Sequence, residues 1–232
     1  MIPISDDNPT RLTPIITWAI IALCATDYLW ERSAGRHMDE VVAVLGFTPA
    51  SLFGYRVVMP GYVSPPAIET IFSSMFLHGS ILHIAGNMLY LWIFGNNVED
   101  AMGHFRFTVF YLVCGIAAAL TLAYVDPSSR LPMVGASGAI SGVLAAYVLL
   151  FPRARVLTFL FVFFLWLPAW LVLGYWFVVQ FLSGAATAIE AAHHASQGGG
   201  IALWAHVGGF ISGIALIKLF PSRPRRFRYY GT

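Results

Sequence analysis

Six apolar runs constrain this chain more than any other feature. They lie at about residues 13–30, 79–95, 107–125, 132–151, 155–184 and 201–220, with charges scarce inside them. A helix needs on the order of 20 residues to cross about 30 Å of hydrocarbon, and only helices or closed barrels satisfy their backbone there. The runs are continuous rather than alternating, so they are not barrel strands. The expected fold class is an all-α polytopic membrane protein, a bundle of six transmembrane helices. Composition agrees: 58% of the 232 residues are hydrophobic and 10% charged, against roughly a quarter charged in soluble domains. A net charge of +2 implies no polyanionic partner, so no nucleic acid is expected.

The fifth run is too long for one upright pass. As a single helix, residues 154–184 would measure about 46 Å. Pro168 divides it, because proline starts helices well and interrupts them badly. No polar turn is available for a hairpin of two passes. The expectation is an interfacial or strongly tilted stretch to about residue 166, then one crossing from about 168 to 184.

Six crossings put both termini on one side. That side collects Arg11, Arg106, Arg153, Arg155, Lys218 and the tail arginines Arg223, Arg225, Arg226 and Arg228, leaving Arg32, Arg36, Arg56 and Arg130 on the other. The positive-inside rule then predicts cytoplasmic termini in a cell (plasma or inner) membrane. The domain layout is a cytoplasmic N-terminus over 1–12, a membrane domain over 13–220 and a basic cytoplasmic tail over 221–232. The tail reads as an orientation signal in contact with anionic lipid. The start of the chain lacks a basic region followed by a cleavage site, so the first run is expected to stay as an anchor. Cys24 and Cys114 fall inside apolar runs and read as core packing. The long outer loop, about residues 31–78, is expected to be ordered and partly sunk in the outer leaflet. A small-residue stretch at about 185–200 reads as a mobile cover.

Polar groups inside a span are expensive and mark function by default. Ser137 stands in the fourth run, His206 in the sixth, and His83 with Asn87 in the second. All three runs begin on the outer side. Counted along helices, Ser137 and His206 lie roughly 7–9 Å deep. His83 and Asn87 bracket that depth on one helix face, being four residues apart. A serine needs a base to become a nucleophile, and imidazole is one near neutral pH. An acyl-transfer intermediate needs donors for its oxyanion, which the Asn87 amide, the His83 ring and the Ser137 backbone N–H can supply.

The stretch Gly135-Ala136-Ser137-Gly138-Ala139-Ile140-Ser141-Gly142 also reads as a packing face. Gly138 and Gly142 form one GxxxG pair, and Gly209 and Gly213 another. Packing explains the glycines. It does not explain a serine, a histidine and an asparagine at one depth. Other hydrolytic chemistries fit less well. The chain has no H-E-x-x-H zinc motif and no aspartate deep in a run. Its single lysine, Lys218, sits at the far end, and the G-x-S-x-G elbow fails at Ala139. No metal or cofactor is expected. No acid stands as a third triad member, so packing or a carbonyl must orient the histidine. His78 reads as structural, His193 and His194 as solvated loop residues, and Glu99-Asp100 as a pair capping or tying the inner loop.

These residues resemble the rhomboid family of intramembrane serine proteases. The likeness rests on Gly135-Ala136-Ser137-Gly138, on Ala205-His206-Val207-Gly208-Gly209, and on His83 with Asn87 within Met75-Phe76-Leu77-His78-Gly79 … Asn87-Met88. Phe94-Gly95 and Val98-Glu99-Asp100 also fit, and the similarity runs from about residue 70 to 218. It implies Ser137 as nucleophile, His206 as base, and His83, Asn87 and the Ser137 N–H as oxyanion hole. It further implies a six-helix core with a long first loop, no metal, and single-pass transmembrane substrates arriving sideways near the fifth helix. The alternative is a catalytically silent rhomboid-like protein that binds transmembrane clients. Two positions depart from the pattern of some members. Glu69-Thr70 replaces a Trp-Arg pair, and Ser141 replaces an aromatic that stacks on the histidine.

Overall fold

The computed structural model describes residues 1–56, 58, 59, 62–193 and 201–220. The expected basic tail, and residues 194–200 of the expected cover, lie outside the described residues. In chain order the elements are β1 (Ile2–Asp6), α1 (Ile15–Ser33), α2 (Met38–Leu45), β2 (Val58–Met59), β3 (Tyr62–Val63), α3 (Ala67–Ser73), α4 (Ile81–Tyr90), α5 (Asn96–Met102), α6 (His104–Val125), α7 (Ser137–Leu150), β4 (Arg155–Leu160), β5 (Phe163–Pro168), α8 (Ala169–His193) and α9 (Ile201–Leu216). A π-helical turn, Leu91–Gly95, joins α4 to α5.

The centre is α7, flanked by α6 and α9. Ten consecutive α7 residues, Gly138 to Tyr147, are buried, the mark of a helix covered on every side. On α6 the buried residues Phe107, Phe110, Tyr111, Cys114, Ala118 and Leu122 recur every three or four positions, giving one inward face. The α7–α9 seam is thin because glycine faces glycine. A Cβ at Gly209 would overlap the Gly138 carbonyl, and one at Gly213 would crowd the Gly142 backbone. Gly142 itself lies against Cys114 of α6. Both cysteines are buried free thiols.

Contacts gather at two ends. At one, β1 pairs with β4 and Arg155 bonds Asp7. Asp100 accepts from the Arg11 and Leu12 N–H groups, and Tyr147 donates to Asp6. At the other, Glu31 of α1 accepts from the His78 N–H, Phe47 bridges Met133, and the Gly135 N–H donates to the Ser74 carbonyl. The described residues of the long first loop are tied to the bundle through α2, α3 and these bridges.

Several expectations need correction. The fold is mostly helical rather than all-α: β1, β4 and β5 form an antiparallel three-stranded sheet, and β2 pairs with β3. The first half of the fifth run is the β4–β5 hairpin, rich in the β-branched and aromatic residues that suit strands. Its turn needs only Phe161 and Val162, with Phe161 at φ 56°; an apolar connection serves a strand hairpin where it would not serve a helical one. The division at Pro168 is where it was expected, since β5 ends there and α8 begins. The small-residue stretch does not open as a loop, because α8 runs on to His193. Alanine and other good helix formers in that stretch favour the continuation.

The fourth run begins its helix only at Ser137, because residues 132–136 are non-helical. At 14 and 16 residues, α7 and α9 are about 21 and 24 Å long. Among the described residues α6 alone is long and apolar enough to cross a membrane by itself.

Candidate active site

The site forms where the N-terminal halves of α4, α7 and α9 meet. Ser80 caps α4 by accepting the His83 N–H, the arrangement that satisfies a first-turn donor. That start fixes the register of His83 and Asn87, which face the same way one turn apart. Asn87 is buried, and its Nδ2–H donates to His78 Nε2 at 3.0 Å. The His78 Nδ1–H donates to the Phe76 carbonyl at 2.8 Å, and the His78 ring packs edge-on against His83. His78, read as structural, thus holds the Asn87 amide in place.

Gly135 turns the chain into α7 with φ +119°, a conformation L side chains rarely adopt. A Cβ on it would lie 2.7 Å from the His83 ring and 3.4 Å from Asn87 Nδ2. Glycine at 135 thus allows the His83 ring, and beside it the Asn87 amide, to approach the backbone just before Ser137 closely. Ser137 follows as the first residue of α7. The N–H groups of a helix's first turn have no intrahelical acceptor, and they carry the positive end of the helix dipole. No side chain of the N-cap residue, Ala136, covers them.

His206 comes from α9 across the glycine seam. The Ser137 hydroxyl donates to His206 Nε2 at 2.7 Å, inside the range for a nucleophile and its base. On its other side the His206 Nδ1–H donates to Gln180 Oε1 at 3.0 Å, and the Trp176 ring lies 5.9 Å from the imidazole. Both supports come from α8. The sequence reading missed them, although Gln180 is the sole amide in the apolar stretch 169–182; the cost of a polar group in such a helix was the available signal. Ser141 gives the ring nothing, since its hydroxyl donates to the Ser137 carbonyl.

Thus Ser137, His206, His83, Asn87 and Gly135 share one site, with Gly138, Gly142, Gly209 and Gly213 in the seam beneath. Ser137 was expected several residues into its helix, but it is the first residue of α7, and residues 132–136 before it are non-helical. Glu99 and Asp100 lie at the opposite end. The Glu99 carboxylate accepts from the Ile16 and Thr17 N–H groups and the Thr17 hydroxyl, and it pairs with His104. Among the described residues no group of three His, Cys, Asp or Glu side chains is placed to hold a metal ion.

Comparison with known proteins gives a consistent answer. The family described as "Rhomboid domain" matches residues 66–223. Rhomboid protein 1, mitochondrial, of Saccharomyces cerevisiae is 34% identical over 164 residues, covering 69% of this chain and 43% of the yeast protein. Presenilin-associated rhomboid-like protein A, mitochondrial, of Danio rerio is 28% identical over 149 residues, 59% of this chain and 39% of its own length. The human presenilin-associated rhomboid-like protein, mitochondrial, is 33% identical over 107 residues, 44% of this chain and 28% of its own. The chain thus spans less than half the length of these relatives.

Proposed function

The chain belongs to the rhomboid family, whose members are membrane-embedded, and from that premise we propose that it is an intramembrane serine endopeptidase. Its substrates are transmembrane proteins, cut near the outer leaflet. The observation that carries this reading is the 2.7 Å bond from Ser137 Oγ to His206 Nε2, with the His83 ring and the Asn87 amide packed close against Gly135.

The chemistry follows from the atoms. Ser137 Oγ attacks the scissile carbonyl carbon while its proton passes to His206 Nε2. The carbonyl oxygen becomes an oxyanion and is met by the Ser137 N–H, the Asn87 amide and the His83 ring. When the intermediate collapses, the C–N bond breaks and the imidazolium returns its proton to the leaving nitrogen. Water, deprotonated by the same imidazole, then releases the acyl fragment and restores Ser137. No step requires a metal or a cofactor.

We assign six crossings, with both termini in the cytoplasm of a cell membrane. The arginine bias supports this orientation, as does the gathering of Arg11, Asp100 and Arg155 at the end opposite Ser137. Short helices such as α7 suit a site that water reaches from the outer face.

The test is cleavage of a single-pass reporter substrate by purified protein in proteoliposomes. Wild type should cleave, whereas Ser137→Ala and His206→Ala should each lose at least about 10⁴-fold. Cleavage at wild-type rate by either variant would sink the assignment.

A further inference from the structure

The Ser137–His206 pair leaves the histidine with a second nitrogen to manage. Imidazole is a useful base only if Nε2 carries the lone pair and Nδ1 the proton. The terminal torsion of a histidine is broad, so a ring without a partner at Nδ1 samples other orientations and the other tautomer. Neighbouring helices offer little help. Ser141, one turn after Ser137, spends its hydroxyl on the Ser137 carbonyl. His83 of α4 is a titratable group near enough to act electrostatically on the ring, and it offers no anion.

What remains is α8. Gln180 Oε1 accepts the Nδ1–H at 3.0 Å, and the Trp176 ring sits 5.9 Å away, inclined at 42°. The two are four residues apart and so share one face of α8. An unbonded amide in an apolar helix is costly, which argues for a specific partner at this position. Trp176 confines the ring from the side while Gln180 fixes its proton.

The geometry points to Gln180 as the positioning residue of His206: its carbonyl selects the Nδ1–H tautomer, aims Nε2 at Ser137 and steadies the imidazolium formed in acyl transfer, with Trp176 as its steric support. This deepens the serine protease reading and rests on it. It also gives α8 a part in catalysis without touching the scissile bond.

Three variants of the 232-residue chain in proteoliposomes separate this from simple packing. Gln180→Leu keeps the volume but not the acceptor; kcat should fall about 10- to 100-fold, less than the roughly 10²–10⁴-fold of a whole general base because the base itself remains, with KM within about twofold. Gln180→Glu restores an acceptor that can only accept; it should recover most of the lost kcat and move the acidic limb of the kcat/KM profile to higher pH, because an anion stabilises the imidazolium. Trp176→Ala should cost about tenfold, with the limb unmoved. The proposal is overturned if Gln180→Leu keeps wild-type kcat. It is equally overturned if Gln180→Leu and Gln180→Glu fall alike with an unshifted limb. Nitrogen-15 shifts of the His206 ring read the tautomer without turnover: Nδ1 should carry the proton in wild type and lose that preference in Gln180→Leu. A wild-type ring protonated on Nε2 contradicts the proposal even in a protein that cleaves. A ring held on Nδ1 in a protein whose cleavage does not depend on Ser137 would sustain the Gln180 contact and remove the protease reading.

Discussion

Two helix N-termini in this molecule meet the same problem in opposite ways. Both α1 and α7 begin after residues whose side chains cap nothing, Pro14 and Ala136. Each therefore starts with unsatisfied N–H donors and a positive dipole end. At α1 the fully buried Glu99 takes the Ile16 and Thr17 donors and the Thr17 hydroxyl. At α7, among the described residues, no carboxylate takes the first-turn N–H groups, and the His83 ring and Asn87 amide stand close to Gly135. A filled N-terminus locks an end of the bundle together. An open one is a place where negative charge can form during a reaction. The difference between them separates the part of the chain that holds from the part that works.

Changes at the two ends should therefore separate activity from stability. The largest effect belongs to Ser137→Ala, which should abolish cleavage while leaving Tm within about 1 °C, because a half-buried hydroxyl is lost without opening a core cavity. Next comes Asn87→Ala, expected to lower kcat by about 10²-fold as one oxyanion donor disappears. An unchanged kcat there would remove Asn87 from the oxyanion hole. At the closed end, Glu99→Ala should leave the rate per folded molecule near wild type but cost about 3 kcal/mol, since several charge-assisted bonds lose their acceptor; thermal unfolding should fall by roughly 5 °C or more. If Glu99→Ala instead lost activity at full stability, the division between the ends would be wrong. The smallest effect is Gly135→Ala, where about 1–2 kcal/mol of backbone strain and the displaced His83 ring should cost about tenfold in kcat.

The chain announced these two ends unequally. Long apolar runs pointed to most of the helices, and polar residues inside them singled out Ser137, His206, His83 and Asn87, because each is costly in its setting; the structure brings these four side chains close together. The motif pattern around those residues pointed to the rhomboid family, to which the chain belongs. The β4–β5 hairpin was not legible, since a uniformly apolar stretch has no period to tell a strand from a helix. The late start of α7 was hidden for a related reason: residues 132–136 read as a continuation of an apolar run, yet Gly135 needs a positive φ that no helix allows. Glu99 showed as a cap in sequence, but its client was α1, more than eighty residues earlier. Gln180 was visible as a lone amide in α8; only the packing of α8 on α9 revealed that it answers His206.

The open N-terminus of α7 has value only if Ser137 is made nucleophilic by His206. Fluorophosphonate labelling in reconstituted bilayers, with the adduct mapped by mass spectrometry, tests that link directly. The account predicts a covalent adduct on Ser137 in wild type and none above background in His206→Ala. No adduct on Ser137 in wild type, or equal labelling in His206→Ala, would contradict it.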